Sequence, residues 1–192
     1  MGRLTNVDRL KLGAALLFCS PFIPMLFQGE EFGASTPFAY FTNHQDPKLG
    51  KAVIEGRRRE FEALGWKPEE ILDPQDPQTF LRSKLDWSEL SREPHTSLLE
   101  WHRKLITLRK TTPALCDGRL DRVKVQFDEA EQCLVLTREP IVLTANLSSA
   151  RRTVPVPSMN YRVLLSSSDY LSAPDSSGLL DIPPDSVTIL EE

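Results

Sequence analysis

Two adjacent carboxylates, Glu30 and Glu31, follow the most apolar stretch of the chain. Hydrolysis of a glycosidic bond uses two carboxylic groups, one to protonate the leaving oxygen and one to act from the opposite face of the sugar. Adjacent side chains diverge in direction, so one of the pair is expected to support its loop while the other faces a cleft; the alternative is that both hold loop structure. Phe32 stands beside them. Tyr40, Phe41 and His44, in the segment from Tyr40 to Asp46, add rings and polar groups that suit the apolar faces and hydroxyls of a sugar. These six residues, Glu30, Glu31, Phe32, Tyr40, Phe41 and His44, are the candidate substrate-binding set.

Other chemistries find little support. His44, His95 and His102 show neither HxH nor HExxH spacing and have no cysteine near them, so no metal site is expected. There is no GxSxG, phosphate-binding loop or dinucleotide fingerprint, and no cofactor is expected. Cys19, Cys116 and Cys133 are odd in number, widely spaced and set among apolar neighbours. They are expected to be buried structural thiols in a reducing, cytoplasmic setting. A net charge of −4 argues against a nucleic-acid partner. The one basic run, Arg57 to Arg59, lies among Glu55, Glu60 and Glu62 and reads as a solvated helix face, with an anion contact as the alternative. The apolar stretch 10–27 is interrupted by Lys11, Pro21 and Pro24, which fits buried core better than a signal peptide or a membrane span.

The elements that must position these residues are of two kinds. Residues 6–19 have helical spacing of apolar residues, with Asn6 as N-cap. Phe22 to Phe27 is a continuous apolar run of the sort found in a parallel strand covered on both faces, with the acidic loop at its C-terminal end. Asp46 and Pro47 open a helix to about Leu64, Asp73 to Pro77 punctuates a loop, and Thr96 is placed as the cap of a helix ending before Pro113. After Gly118 the pattern changes to short β-branched runs at 123–127, 133–137, 141–145, 153–156, 161–165 and 187–190, separated by turns.

The run from Ser20 to Gly33, SPFIPMLFQGEEFG, resembles the last barrel strand and following loop of the α-amylase superfamily. Residues 37–42, 55–60, 73–77, 79–80 and 83–87, with the β-rich tail around Leu164 to Ser167, are similar to the malto-oligosyltrehalose trehalohydrolases within it. Gln28 departs from that pattern, which often has Met there. The fold implied is α/β followed by all-β. Residues 1–117 would be the last helix–strand–helix of a (β/α)8 TIM barrel with a loop insertion, and 118–192 an antiparallel β-sandwich.

The resemblance also implies hydrolysis of the α-1,4 bond next to a terminal trehalose, with malto-oligosyltrehalose or another α-glucan as substrate and no nucleic acid or membrane as partner. The family's Asp nucleophile, Glu acid/base and second Asp are then expected outside this chain, because no Asn-His-Asp motif occurs in it. Two rival readings are a different superfamily member, such as a glycogen branching enzyme, and a non-catalytic carbohydrate-binding or scaffold protein. A barrel strand without its neighbours leaves apolar edges and helix faces uncovered, so residues 1–117 are expected to self-associate or rearrange, with the C-terminal part well ordered.

Overall fold

In a computed structural model, the structure describes residues 5–67, 71–158, 160–170 and 173–192. Helices α1 (Val7–Cys19), α2 (Pro47–Ala63), α3 (Pro77–Arg82), α4 (His95–Thr111) and α5 (Pro113–Cys116) come first. Strands β1 (Lys124–Asp128), β2 (Cys133–Arg138), β3 (Ile141–Asn146), β4 (Arg152–Pro155), β5 (Arg162–Ser166), β6 (Leu179–Ile182) and β7 (Ser186–Glu191) follow. The chain divides into a unit formed by the segments up to Gly33 and from Glu89 onward, and a second unit of residues 34–88.

In the first unit, β1-β2-β3-β7-β5 form an antiparallel sheet, and β4 pairs with β6 in a second. The two-residue side-chain period of a strand sends alternate residues to opposite faces. Leu136, Ile141, Leu143, Ala145, Val187 and Ile189 face one way, where Leu12, Ala15, Phe18 and Cys19 of α1 and Leu98, Trp101 and Leu105 of α4 cover them. Cys133, Val135, Val142 and Leu190 face the other way and meet Val154 of β4 with Leu180 and Ile182 of β6. Every residue of β3 is therefore buried. Full burial of a Leu or Ile side chain contributes roughly 1.5–3 kcal/mol, so this doubly covered strand is the energetic centre of the unit.

Helix α1 is fixed at both ends. Asn6 caps it through its side-chain oxygen, which accepts from Arg9 N–H at 2.8 Å, and Asn6 Nδ2 donates to Asp185 at 3.0 Å. The C-terminal carbonyls are collected by two arginines. Arg109 donates to Phe18, Ser20 and Phe22 carbonyls at 2.5, 2.9 and 2.9 Å. Arg138, at the end of β2 and buried, donates to Cys19, Ser20, Leu115 and Asp117 carbonyls. Orphan carbonyls and the negative end of the helix dipole favour cations at this position. Burial pushes the Cys19 thiol up to about 12, against the opposing pull of Arg109 and Arg138.

Several expectations need correction. Phe22 to Phe27 forms no strand, and Phe22, Ile23, Met25 and Phe27 are exposed, because a continuous apolar strand needs neighbours on both edges. The inner faces of α1 and α4 are not left bare; they cover the five-stranded sheet. In space, α1, α4 and the five-stranded sheet share one core. Thr96 lies inside α4, not at its cap, and its hydroxyl donates to the Leu90 and Arg92 carbonyls. Cys19 and Cys133 are buried, whereas Cys116 is exposed; all three are free. Strand β6 and helix α3 were not foreseen.

Candidate functional site

The acidic pair lies in a single tight turn, Glu30–Phe32, bounded by Gly29 at φ 78° and Gly33 at φ 62°. Both glycines occupy the left-handed region that a side chain disfavours. At Gly33 an added Cβ would also stand 2.8 Å from Leu98 Cδ2. Glu30 closes the turn on itself: its N–H donates to the Phe27 carbonyl at 2.9 Å, and its carboxylate accepts from Phe27 N–H at 3.0 Å. Phe32 is buried and meets the His95 ring edge-on at 6.3 Å. His95 Nδ1 lies 2.9 Å from the Phe32 carbonyl, and since a carbonyl only accepts, that nitrogen carries the proton. Phe32 is thus consumed by packing and offers no ring face to a sugar. Among the described residues no hydrogen bond or ion pair restrains Glu31, which leaves it as the carboxylate of the pair available to a ligand.

Tyr40, Phe41 and His44 lie in the 34–88 unit, on a segment stitched to the Asp73–Ser83 region. Thr42 N–H donates to the Pro74 carbonyl at 2.8 Å, and Gln75 grips the His44 backbone on both sides, at 3.1 and 3.4 Å. Ala39 N–H donates to Ser83 Oγ at 3.0 Å. Asp46 and Asp76 cap α2 and α3, each followed by proline at the first helical position. Phe41 packs between Phe38 and Phe80, at 5.8 and 5.1 Å. Tyr40 stands apart from that cluster and stacks against the Arg57 guanidinium at 4.8 Å. Arg57 also lies 4.7 Å over Phe61, whose ring meets Trp66 edge-on at 5.0 Å. Together with Leu72 they line a cavity of about 270 Å³. His44 is held there by its backbone and does not line the cavity.

The chain is 43% identical over 183 residues to a malto-oligosyltrehalose trehalohydrolase of a Rhizobium species, covering 95% of this chain and 30% of that enzyme. It is 47% identical over 146 residues to the one from Brevibacterium helvolum, covering 76% and 25%. The chain belongs to the malto-oligosyltrehalose trehalohydrolases.

It spans less than a third of the length of those curated trehalohydrolases. Residues 118–189 match a family described as a domain of unknown function, DUF3459. Among solved structures, a Salmonella typhimurium protein described as an alpha amylase is similar at TM-score 0.77 and 31% identity, covering 99% of this chain and 32% of that one. An Anoxybacillus pullulanase crystallised with maltotetraose shares the fold at TM-score 0.62 and 18% identity, covering 96% and 23%.

Within this chain, the structure groups Glu30, Glu31 and Phe32 in one turn and places Tyr40 beside the cavity, which Phe41 and His44 do not line. Sequence reasoning missed Arg57, Phe61 and Trp66. Their helical spacing at 57 and 61 was a usable signal, since residues four apart share a helix face. Arg57 was instead expected on a solvated face; its neighbours Tyr40 and Phe61 correct that reading. His95, the anchor of the acidic turn, carried no sequence signal.

Proposed function

We propose that the chain is the C-terminal portion of an enzyme that cleaves the α-1,4-glucosidic bond next to the terminal trehalose of malto-oligosyltrehalose, releasing trehalose. The identity to trehalohydrolases across 95% of the chain carries this reading and favours it over a branching enzyme or a scaffold protein. In this reading, residues 1–117 complete the (β/α)8 barrel of the parent and 118–192 form its C-terminal sandwich. The match of residues 118–189 to a single family supports that second boundary. The exposed Phe22 to Phe27 segment becomes a barrel strand once its neighbours are present, and in their absence it promotes self-association.

The reacting carboxylates belong to the rest of the barrel, so the contribution of this chain is positioning. Glu31 is the carboxylate that meets substrate, and Glu30 holds its turn. Tyr40 presents a ring to the glucan, with Phe41 and His44 supporting the same segment. The three free cysteines fit a cytoplasmic enzyme, and among the described residues no helix is long and apolar enough to cross a membrane.

Trehalose release from malto-oligosyltrehalose is the direct test. The full-length parent should turn over and the isolated chain should not, because without nucleophile and acid/base no glycosyl–enzyme bond forms. Turnover by the purified chain above a blank would overturn the assignment. In the parent, Glu31→Gln should lower kcat/KM about 10-fold or more, the range of a lost charged contact of roughly 1.5–3 kcal/mol. Wild-type kinetics in that variant would remove Glu31 from the site.

A further inference from the structure

We infer that the cavity of the 34–88 unit is a glucosyl subsite in which Arg57 selects a neutral, polyhydroxylated ring. The inference rests on the α-glucan reading above and narrows it to one cavity.

Four large apolar side chains, Phe38, Tyr40, Trp66 and Leu72, stand about half exposed around a single hollow of about 270 Å³. Clustered exposure of this kind marks a surface meant to be covered. The character of the hollow identifies the occupant. Arg57 is held over Tyr40 and Phe61, so its plane is fixed before anything binds. Glu60 accepts from one of its terminal nitrogens at 3.1 Å. A guanidinium has five N–H donors, so donors remain for a ligand, while Glu60 offsets the charge.

Among the described residues the lining contains no carboxylate. Arg57 repels a second cation, and an anion meets an arginine whose charge Glu60 already offsets. An apolar protein surface pressed onto the hollow would bury the Arg57–Glu60 pair at a desolvation cost. A pyranose ring meets none of these objections: its C–H face stacks on the Tyr40 and Trp66 rings while its hydroxyl oxygens accept from Arg57.

The test uses the chain itself, with the Trp66 indole N–H resonance as reporter and Trp66→Phe to assign it. Maltotriose should shift this resonance saturably, with the Trp101 signal unmoved, while inorganic phosphate at the same concentration should not shift it. Arg57→Leu should weaken the maltotriose response at least 10-fold, with Arg57→Lys in between because an ammonium cannot reproduce the stacked fork. Tyr40→Ala, which leaves α2 untouched, should weaken it as well.

In the full-length enzyme, Arg57→Leu should raise KM with kcat within about twofold. No sugar-dependent shift of Trp66, or an equal response to phosphate, overturns the inference. The two readings fail separately. An active enzyme with an unresponsive Trp66 sinks only the subsite, and a responsive Trp66 in a parent that releases no trehalose sinks only the assigned reaction.

Discussion

Leu143 in the middle of the five-stranded sheet has no accessible surface, with helices on its own face of the sheet and the second sheet covering the other. In the 34–88 unit, the buried positions among the described residues are Gly50, Pro74, Thr79 and Ser83. One unit is stabilised by apolar area removed from water. The other is organised by aspartate caps and side-chain-to-backbone hydrogen bonds: Thr79 Oγ1 donates to the Asp73 carbonyl at 2.6 Å, and Ser83 Oγ donates to the Thr79 carbonyl at 2.9 Å. A typical hydrogen bond contributes only about 1 kcal/mol net. A region held in this way opens more readily than a packed sheet. Among the described residues it carries six exposed rings, Phe38, Tyr40, Phe41, Trp66, Phe80 and Trp87, whereas the larger sheet unit exposes Phe22, Phe27, Phe127 and Tyr170.

Three measurements test the contrast. Leu143→Ala should destabilise the sheet unit by about 3 kcal/mol, through lost transfer energy and a cavity between two fixed layers. Urea unfolding followed by the buried Trp101 reads this, and a loss under about 1 kcal/mol would show that the strand is not the centre of the core. Asp76→Ala should cost about 1 kcal/mol as a lost N-cap. Its effect should be confined to faster amide exchange in residues 34–88, with the Trp101 transition unchanged; a shift of that transition would mean that the two units unfold as one.

The smallest effect concerns acid. Hydrogen bonds from the Arg119 side chain and backbone lower the Asp117 carboxyl from 3.8 to about 2. With the folded value below the unfolded one, the contribution is complete above about 3.8 and disappears as the pH falls through 2. Asp117→Asn should therefore flatten the stability profile slightly in that window and nowhere else, as an acid titration of the wild type and variant would show.

Much of the architecture was legible because it is written in local chemistry. Asn6 and the Asp46–Pro47 pair start helices by satisfying end groups within a few residues, and that logic needs no tertiary context. Six of the seven strands were visible as β-branched runs between turns. The seventh, β6, reads Leu-Leu-Asp-Ile between Gly178 and Pro183, with one β-branched residue, and is a strand because it pairs with β4. Phe22 to Phe27 erred the other way: its composition is that of a strand, but composition cannot supply neighbours.

The site was half legible. Adjacency makes the Glu30 and Glu31 side chains diverge, but that Glu30 is the one bonded to Phe27 N–H depends on the curl of a turn set by two positive-φ glycines. Arg138 was hidden for a similar reason. A charge ending a strand reads as solvent-facing, and only the arrival of the α1 carbonyls makes it an interior residue.

The contact between His95 and Phe32 joins positions 63 residues apart, on either side of the 34–88 segment. Those two points are fixed within the sheet unit whatever the intervening chain does. For a flexible loop the entropy of closure grows only with the logarithm of its length, about 0.6 kcal/mol for each doubling. Lengthening, shortening or exchanging what lies between the two anchors is therefore cheap for the scaffold. A fold that clamps the base of an insertion this firmly can change the inserted segment without renegotiating its core.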